Sequence, residues 1–343
     1  MVLVMNEKIY VCYASSNEYA EYTGISIFSL LKNNAQYIRK VFILDYGILS
    51  ENKEKINHVI SSFHVDVEYI RSKEVLEELQ ATLNIKAFRS SLATYSRAFI
   101  DYIIPSYVDK LLYIDSDTVV NGNIEELIEY DMGNKVLAGS ISLDLYDGLH
   151  STTEFPLLSG NKAYIGCGIV LYSLENWRLH NCRQMIQTSC EKLETARFAD
   201  QTVINNAIPE KLLGILPPKY NYAGHTFSVA SERINLHAGG WYREEEIDQA
   251  VRYPVIIHYK GGPLVRPWFD DCQSRQKEVY YSYKEQTPWA ESQLISTKEV
   301  AKAWSQKEKI EYKYGKIIIR QKYYFFEKII KFSMHVEMKI RHV

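Results

Sequence analysis

The sequence predicts an α/β protein whose mostly parallel sheet is covered by helices on both faces. Over the first 145 residues, short apolar runs alternate with segments that carry apolar residues at helical spacing. Parallel strands buried on both faces appear as continuous apolar runs, and crossover helices join them. The chain has 343 residues, 46% hydrophobic and 24% charged, which is a globular composition with room for one large domain or two smaller ones.

The elements follow one another in a strand-helix order. The predicted strands cover residues 9–14, 41–45, 65–70, 111–115, 136–143, 168–172 and 255–259. The predicted helices cover residues 22–31, 50–63, 92–104 and 182–193. Ser50 is expected to cap the second helix and Pro105 to end the third. Residues 214–242, rich in proline, glycine and aromatic residues, are expected to form a long ordered loop.

Charge divides the chain near residue 298. Residues 298–343 carry 12 Lys/Arg and 5 Asp/Glu, whereas the preceding part is net acidic. This shift predicts that the last 45 or so residues form a separate basic appendage. We expect one domain over residues 1–275 and a helical appendage over 276–343. Within 310–340, one set of apolar residues falls near a single helical face: Tyr314, Ile318, Phe325, Ile329, Phe332 and Val336. That face either packs on the domain or a partner chain, or contacts an anionic membrane surface.

Composition also excludes several classes. The net charge of −2 argues against a nucleic-acid partner. The five cysteines show no zinc-binding spacing and are typical of a reduced, cytoplasmic protein. No apolar run reaches the roughly 18 residues of a membrane span, and the start MVLVMNEK does not resemble a signal peptide. We therefore expect a cytoplasmic protein, with peripheral contact at the inner membrane surface as the alternative that the tail leaves open.

The clearest chemical signal is Asp115-Ser116-Asp117 at the end of a predicted strand. The strand end places both carboxylates in the ligand crevice of the sheet. Two adjacent anions are unfavourable there unless a divalent cation neutralises them. Oxygen ligands favour Mg²⁺ or Mn²⁺, which commonly bridge to a diphosphate. The alternative is that the pair only forms a turn or a helix cap.

Two later segments carry further candidate residues. Asp200-Gln201 precedes an apolar helical segment, where an aspartate is most often a cap. His258 ends a predicted strand and can ligate a metal, although a structural role is the commoner one. The turn at Gly261 lets backbone N–H groups approach an anion, and Arg266 can clamp a phosphate.

A polar turn, residues 14–19, follows the first strand and lacks both GxGxxG and GK[ST] motifs. The motifs that accompany it are TYSR at 94–97, YIDSDTVVNG at 113–122, GCGIVLYSLENWR at 166–178, DQ at 200–201 and HYKGGPLVRPW at 258–268. As a set they resemble the family 8 glycosyltransferases, retaining enzymes that include bacterial lipopolysaccharide galactosyltransferases and glycogenin. The resemblance covers about residues 8–275 and implies the Rossmann-like GT-A fold.

The resemblance implies a UDP-sugar donor and Mn²⁺, with Mg²⁺ as the alternative ion, held by Asp115, Asp117 and His258. It implies donor-binding positions at Ala14, Ser16, Tyr19, Arg97, Asp115, Ser116, Asp200, Gln201, Gly261 and Arg266. The uridine would lie on the backbone near Ala14 and on the ring of Tyr19. Arg97 would bridge the ribose side and the sugar, while Gly261 and Arg266 would hold the diphosphate.

The catalytic positions implied by the resemblance are Arg97, Asp200 and Gln201, with Gln201 nearest the anomeric carbon. The sequence departs from the family pattern at Ser16, where an aspartate is usual, and at Gly166, where an asparagine is usual. An acidic residue expected near the acceptor corresponds to Asp144 or is absent.

The resulting prediction is a Mn²⁺-dependent retaining hexosyltransferase that moves galactose or glucose from a UDP-sugar to a glycan or glycoprotein acceptor. Two alternatives remain. One is transfer of another UDP-sugar such as an N-acetylhexosamine, and the other is a non-catalytic relative that binds a UDP-sugar or a partner protein.

Overall fold

A computed structural model describes residues 8–83, 92–142, 163–192, 199–222, 240–318 and 324–341. The strands in these ranges are β1 Ile9–Ser16, β2 Ile38–Tyr46, β3 Asp66–Arg71, β4 Lys110–Ile114, β5 Thr118–Val120, β6 Leu137–Ile141, β7 Ile165–Ser173, β8 Leu213–Ile215 and β9 Ile256–His258. The helices are α1 Ala20–Asn34, α2 Ser50–Ser61, α3 Lys73–Leu83, α4 Ile100–Ile103, α5 Glu125–Ile128, α6 Leu174–Leu179, α7 Cys182–Lys192, α8 Ala199–Ala207, α9 Glu244–Arg252, α10 Lys277–Lys284, α11 Thr297–Val300, α12 Gln306–Ile318 and α13 Tyr324–Ile340.

The main sheet has the strand order β3-β2-β1-β4-β7-β6-β8, and β5 pairs with β9 in a second, smaller sheet. Strands β3, β2, β1 and β4 are parallel neighbours, and β6 is parallel to β8. Only β7 runs against its neighbours in the main sheet of the described ranges. This topology confirms the predicted mostly parallel α/β fold.

Two apolar cores cover the two faces of the sheet. Successive side chains of β4 alternate between them, so Leu111 and Tyr113 lie in one core and Leu112 and Ile114 in the other. Alternation follows from the pleat of a strand, and both faces are apolar because helices cover both. The continuous apolar runs in the sequence have this origin.

Two local predictions are wrong. Residues 92–104 do not form one helix but a short 3₁₀ helix, Ala93–Arg97, followed by α4. The segment is buried on all sides around Arg97, so tertiary packing rather than helical periodicity sets its shape. Ser50 is the first residue of α2 rather than its cap, and the N-cap is Leu49, whose backbone N–H donates to Asn17.

Some elements were not predicted, among them the helices α3, α5, α6 and α9 and the short strands β5 and β8. The stretch 214–242 begins with the end of β8 and a 3₁₀ turn, Pro218–Tyr220, while residues 223–239 lie outside the described ranges. All five cysteines are free. No helix in the described ranges combines the length and apolar character that a membrane crossing needs.

The prediction of a single helical face over 310–340 is wrong, because two helices pack against each other there. Lys313 Nζ lies 2.7 Å from Glu337 Oε2, whereas a straight helix would separate these residues by about 36 Å. Helix α12 contacts the preceding part of the chain: Lys316 Nζ lies 2.5 Å from Asp271 Oδ2, and Gly315 lies against Leu264. Helix α13 exposes a row of apolar side chains, Ile329, Phe332, Val336 and Ile340.

Candidate active site

The carboxylate pair lies directly beyond the carboxyl end of β4. The Asp115 N–H donates to the Gly168 carbonyl of β7 at 2.8 Å, which fixes where the loop leaves the sheet. Two hydroxyl groups connect the loop after β4 to α1 and β1. Thr23 Oγ1 of α1 lies 2.8 Å from Ser116 Oγ, and Ser116 Oγ donates to the Ala14 carbonyl at 2.9 Å. The buried polar face of α1 therefore sets the loop against β1.

His258 reaches the same point from the small sheet. Strand β9 pairs with β5 so that His258 is opposite Thr118, and the Tyr259 N–H donates to the Asp117 carbonyl at 2.8 Å. His258 Nε2 lies 3.1 Å from Asp117 Oδ1 and 3.7 Å from Asp115 Oδ2. Although 141 positions separate Asp117 from His258, the pairing of two short strands places one imidazole beside both carboxylates.

These three side chains form a donor set that suits a divalent cation. In the described part of the chain, one ligand atom from each of Asp115, Asp117 and His258 lies within 4.8 Å of the others. Two carboxylates and one imidazole match the preferences of Mn²⁺ and related ions. Burial raises the pKa of Asp115, although Arg97 and His258 partly offset this. His258 and Arg266 outweigh burial at Asp117 and lower its pKa. The site therefore fits the predicted metal.

Arg97 joins this cluster to a second buried carboxylate. Its Nη1 donates to Asp115 Oδ2 at 2.8 Å and to the Cys167 carbonyl at 2.8 Å. Its Nη2 donates to Asp200 Oδ1 at 3.0 Å, and its Nε lies 2.7 Å from Asp200 Oδ2. Burial raises the pKa of Asp200 to about 6, although the guanidinium opposes this shift. Asp200 is thus an ion-pair partner deep in the site.

Gln201, the neighbour of Asp200 on α8, is held by its amide group. Its Oε1 accepts from the Cys167 N–H at 3.2 Å, and its Nε2 donates to Ser142 Oγ at 3.4 Å. Cys167 therefore uses its N–H for Gln201 and its carbonyl for Arg97. Strand β7 links the two residues through its backbone.

Arg266 approaches the carboxylates from the loop after β9. Its Nη2 donates to Asp117 Oδ2 at 3.3 Å, and its guanidinium lies 5.5 Å from the centre of the Trp268 ring. Burial lowers the pKa of Arg266, but Asp117 and Tyr19 outweigh this and raise it. Gly261, earlier in the same loop, has φ of +128°, a backbone conformation that favours glycine.

The structure thus joins most of the predicted residues in one network of contacts. The network runs from Ala14 and Ser116 to Asp115, Arg97 and Asp200, and from Asp117 to Arg266 and Tyr19. Ser16 lies at the end of β1, where its hydroxyl donates to Glu18 Oε2 at 2.7 Å. Asp144 lies outside the described residues. Sequence reasoning missed Asn221, whose Oδ1 lies 2.9 Å from His258 Nδ1. Only the strand pairing brings Asn221 to the histidine, so no local motif pointed to it.

Comparisons with known proteins concern the family and the fold of the chain. The family profile described as glycosyl transferase family 8 matches residues 10–272. A putative glycosyltransferase of Haemophilus influenzae is 27% identical over 266 residues, which cover 76% of this chain and 73% of the relative. A lipopolysaccharide 1,2-glucosyltransferase of Escherichia coli is 24% identical over 322 residues, covering 88% of this chain and 85% of the relative. The crystal structure of galactosyltransferase LgtC with donor and acceptor sugar analogues has a TM-score of 0.67 at 19% identity, covering 82% of this chain and 96% of LgtC.

Proposed function

Since the chain belongs to glycosyl transferase family 8, we propose that it is a retaining hexosyltransferase that moves galactose or glucose from a UDP-sugar to a glycan acceptor. Its membership confirms the resemblance seen in the motifs, and the chain is an enzyme of the UDP-sugar glycosyltransferase class. The observation that carries the proposal is the cluster of Asp115, Asp117 and His258 beside the Arg97–Asp200 pair. The glucosyl and galactosyl activities in the names of similar proteins support these two sugars.

We assign the metal to Asp115, Asp117 and His258, with Mn²⁺ as the proposed ion and Mg²⁺ as the alternative. When bound, the ion supplies positive charge next to the diphosphate of the donor. Arg266 would add a second positive group on the same side, because its guanidinium already lies at Asp117. A leaving UDP gains negative charge in the transition state, so fixed cations in a buried site lower its energy.

The remaining positions bind and orient the donor. Ala14 and Tyr19 would hold the uridine at the end of β1, with Ser16 at its edge. Ser116 would support the ribose side, since its hydroxyl already fixes the loop to Ala14. Gly261 would offer backbone N–H groups to the diphosphate.

The sugar would lie between Arg97 and α8. Arg97 holds the carboxylate of Asp200 in place, so that Asp200 can accept hydrogen bonds from sugar hydroxyls. The amide of Gln201 would face the anomeric carbon, and its contacts with Cys167 and Ser142 restrict its rotation. We propose these three residues, Arg97, Asp200 and Gln201, as the catalytic set.

We further propose that the catalytic domain spans residues 1–275 and that the appendage, 276–343, contacts the membrane on which the acceptor is built. The exposed apolar row of α13 supports contact with a lipid surface, and the basic charge of residues 298–343 suits anionic lipid. The acceptor would then be a glycan at the inner membrane surface. Helix α12 contacts Asp271 and packs against α13, so it would hold the apolar row of α13 in a fixed position on the protein.

The test is donor hydrolysis and transfer with purified protein. UDP-galactose, UDP-glucose and UDP-N-acetylglucosamine are compared with Mn²⁺, with Mg²⁺ and with chelator, and release of UDP is measured. Asp117→Asn is expected to abolish turnover, because it removes a charged ligand from the ion. Asp109→Asn is the matched control, since Asp109 pairs with Arg178 at the surface. Wild-type turnover by Asp117→Asn at saturating donor would refute the metal assignment, and UDP binding without any turnover would favour the non-catalytic alternative.

A further inference from the structure

The side chain of Asn221 contacts Nδ1 of the His258 ring. Its Oδ1 lies 2.9 Å from His258 Nδ1, on the side of the ring opposite the carboxylates. The backbone fixes this approach, because the Tyr222 N–H donates to the Ile256 carbonyl at 2.9 Å and the His258 N–H donates to the Tyr222 carbonyl at 2.9 Å. The chain segment of Asn221 thus runs beside β9 as a short parallel bridge.

The chemistry of the imidazole gives this contact a consequence. A neutral imidazole carries one N–H, so a ring that binds a metal through Nε2 must carry its proton on Nδ1. An acceptor at Nδ1 favours that form, whereas a donor there would favour a proton on Nε2 and block coordination. Partners of this kind orient metal-binding histidines in proteins generally.

On the basis of the proposed metal function, we infer that Asn221 is a positioning residue that accepts the His258 Nδ1–H through Oδ1 and so directs Nε2 toward the metal. Nε2 then faces Asp117 Oδ1 at 3.1 Å and Asp115 Oδ2 at 3.7 Å. Asn221 itself would not touch the ion or the substrate.

Two glycines of β7 make room for this arrangement. A Cβ on Gly168 would lie 2.3 Å from His258 Cε1 and 2.7 Å from its Nδ1, so any side chain there would displace the ring. A Cβ on Gly166 would lie 3.2 Å from Asn221 Nδ2 and would crowd the amide. The two glycines of β7 therefore leave room for the ring and its amide partner together.

The test measures Mn²⁺ affinity directly, from the electron paramagnetic resonance signal of free Mn²⁺ titrated with protein and UDP. Asn221→Leu removes the acceptor and is expected to weaken Mn²⁺ binding by about 10–100-fold. Asn221→Asp keeps an acceptor and cannot donate. Its affinity for Mn²⁺ is therefore expected to be no more than about threefold weaker than that of the wild type. Asn206→Leu changes a half-buried asparagine on α8 and is the control, expected to leave affinity unchanged.

Thermal unfolding of each variant checks that the fold is retained, and Asn221→Ala replaces Asn221→Leu if leucine prevents folding. Unchanged affinity after loss of the acceptor, or equal losses for Asn221→Leu and Asn221→Asp, would overturn the inference. The proposed metal site is judged separately by Asp117→Asn. If that variant loses Mn²⁺ while Asn221→Leu keeps it, only the role of Asn221 fails. If wild type binds no Mn²⁺ with UDP, the metal proposal and this inference fail together.

Discussion

Replacing Arg97 with leucine should destabilise the metal-free protein by about 3–5 kcal/mol. Arg97 is buried and is the cation shared by Asp115 and Asp200, with contacts of 2.8 Å and 2.7 Å to their carboxylates. The substitution leaves the buried carboxylate of Asp200 and the half-buried carboxylate of Asp115 without this partner. Removing one member of a buried ion pair costs more than the pair itself contributes, because the remaining charge keeps its desolvation penalty.

Urea unfolding in the presence of chelator gives the free energy of unfolding for the wild type and the variant. Arg178→Leu is the control, because Arg178 pairs at 3.0 Å with Asp109 on the surface and such pairs contribute about 0–1 kcal/mol. Adding Asp200→Asn to Arg97→Leu should recover part of the loss, since it removes one of the two unpaired charges. Saturating Mn²⁺ with UDP should stabilise Arg97→Leu more than it stabilises the wild type, because the ion neutralises Asp115.

The reasoning would be refuted by a loss no larger than that of Arg178→Leu. It would also fail if Asp200→Asn deepened the loss instead of relieving it. Either result would mean that water or rearranged side chains satisfy the carboxylates without Arg97.

Three other predictions concern the donor, pH and the tail. Arg266→Ala should weaken UDP binding by about tenfold to a hundredfold and leave uridine binding nearly unchanged; calorimetry showing equal losses would contradict a diphosphate contact. Burial raises the pKa of Asp200 to about 6, above its value in the unfolded chain. The contribution of Asp200 to the free energy of unfolding should therefore increase as the pH falls from 7 to 5 and decrease as the pH rises again. Activity should decline over the same fall in pH because Asp200 loses its negative charge, and urea titrations of Asp200→Asn should lack this stability change. Deleting residues 324–343 should lower binding to anionic vesicles in sedimentation assays while donor hydrolysis persists, and unchanged sedimentation would count against the membrane proposal.

Sequence reasoning succeeded where chemistry coincides with a strand end. Asp115 and Asp117 follow a continuous apolar run, and the carboxyl ends of parallel strands line the ligand crevice, so their place was predictable. The segment around Arg97 was not, because burial on every side removed the periodicity that distinguishes a helix from an irregular turn. Asn221 was also beyond reach, since its partner is set by backbone pairing with β9 rather than by local spacing.

The charges of the site explain why metal and donor would bind as a unit. Three carboxylates, Asp115, Asp117 and Asp200, meet two guanidinium groups, Arg97 and Arg266, which leaves one net negative charge in the site. A diphosphate would meet net repulsion there, and a divalent cation reverses the sign. Once the diphosphate is in place, its charge offsets the excess in turn, so each ligand removes the electrostatic cost of the other. Arg97 links the proposed metal site to the proposed sugar site, because the same guanidinium contacts Asp115 and Asp200.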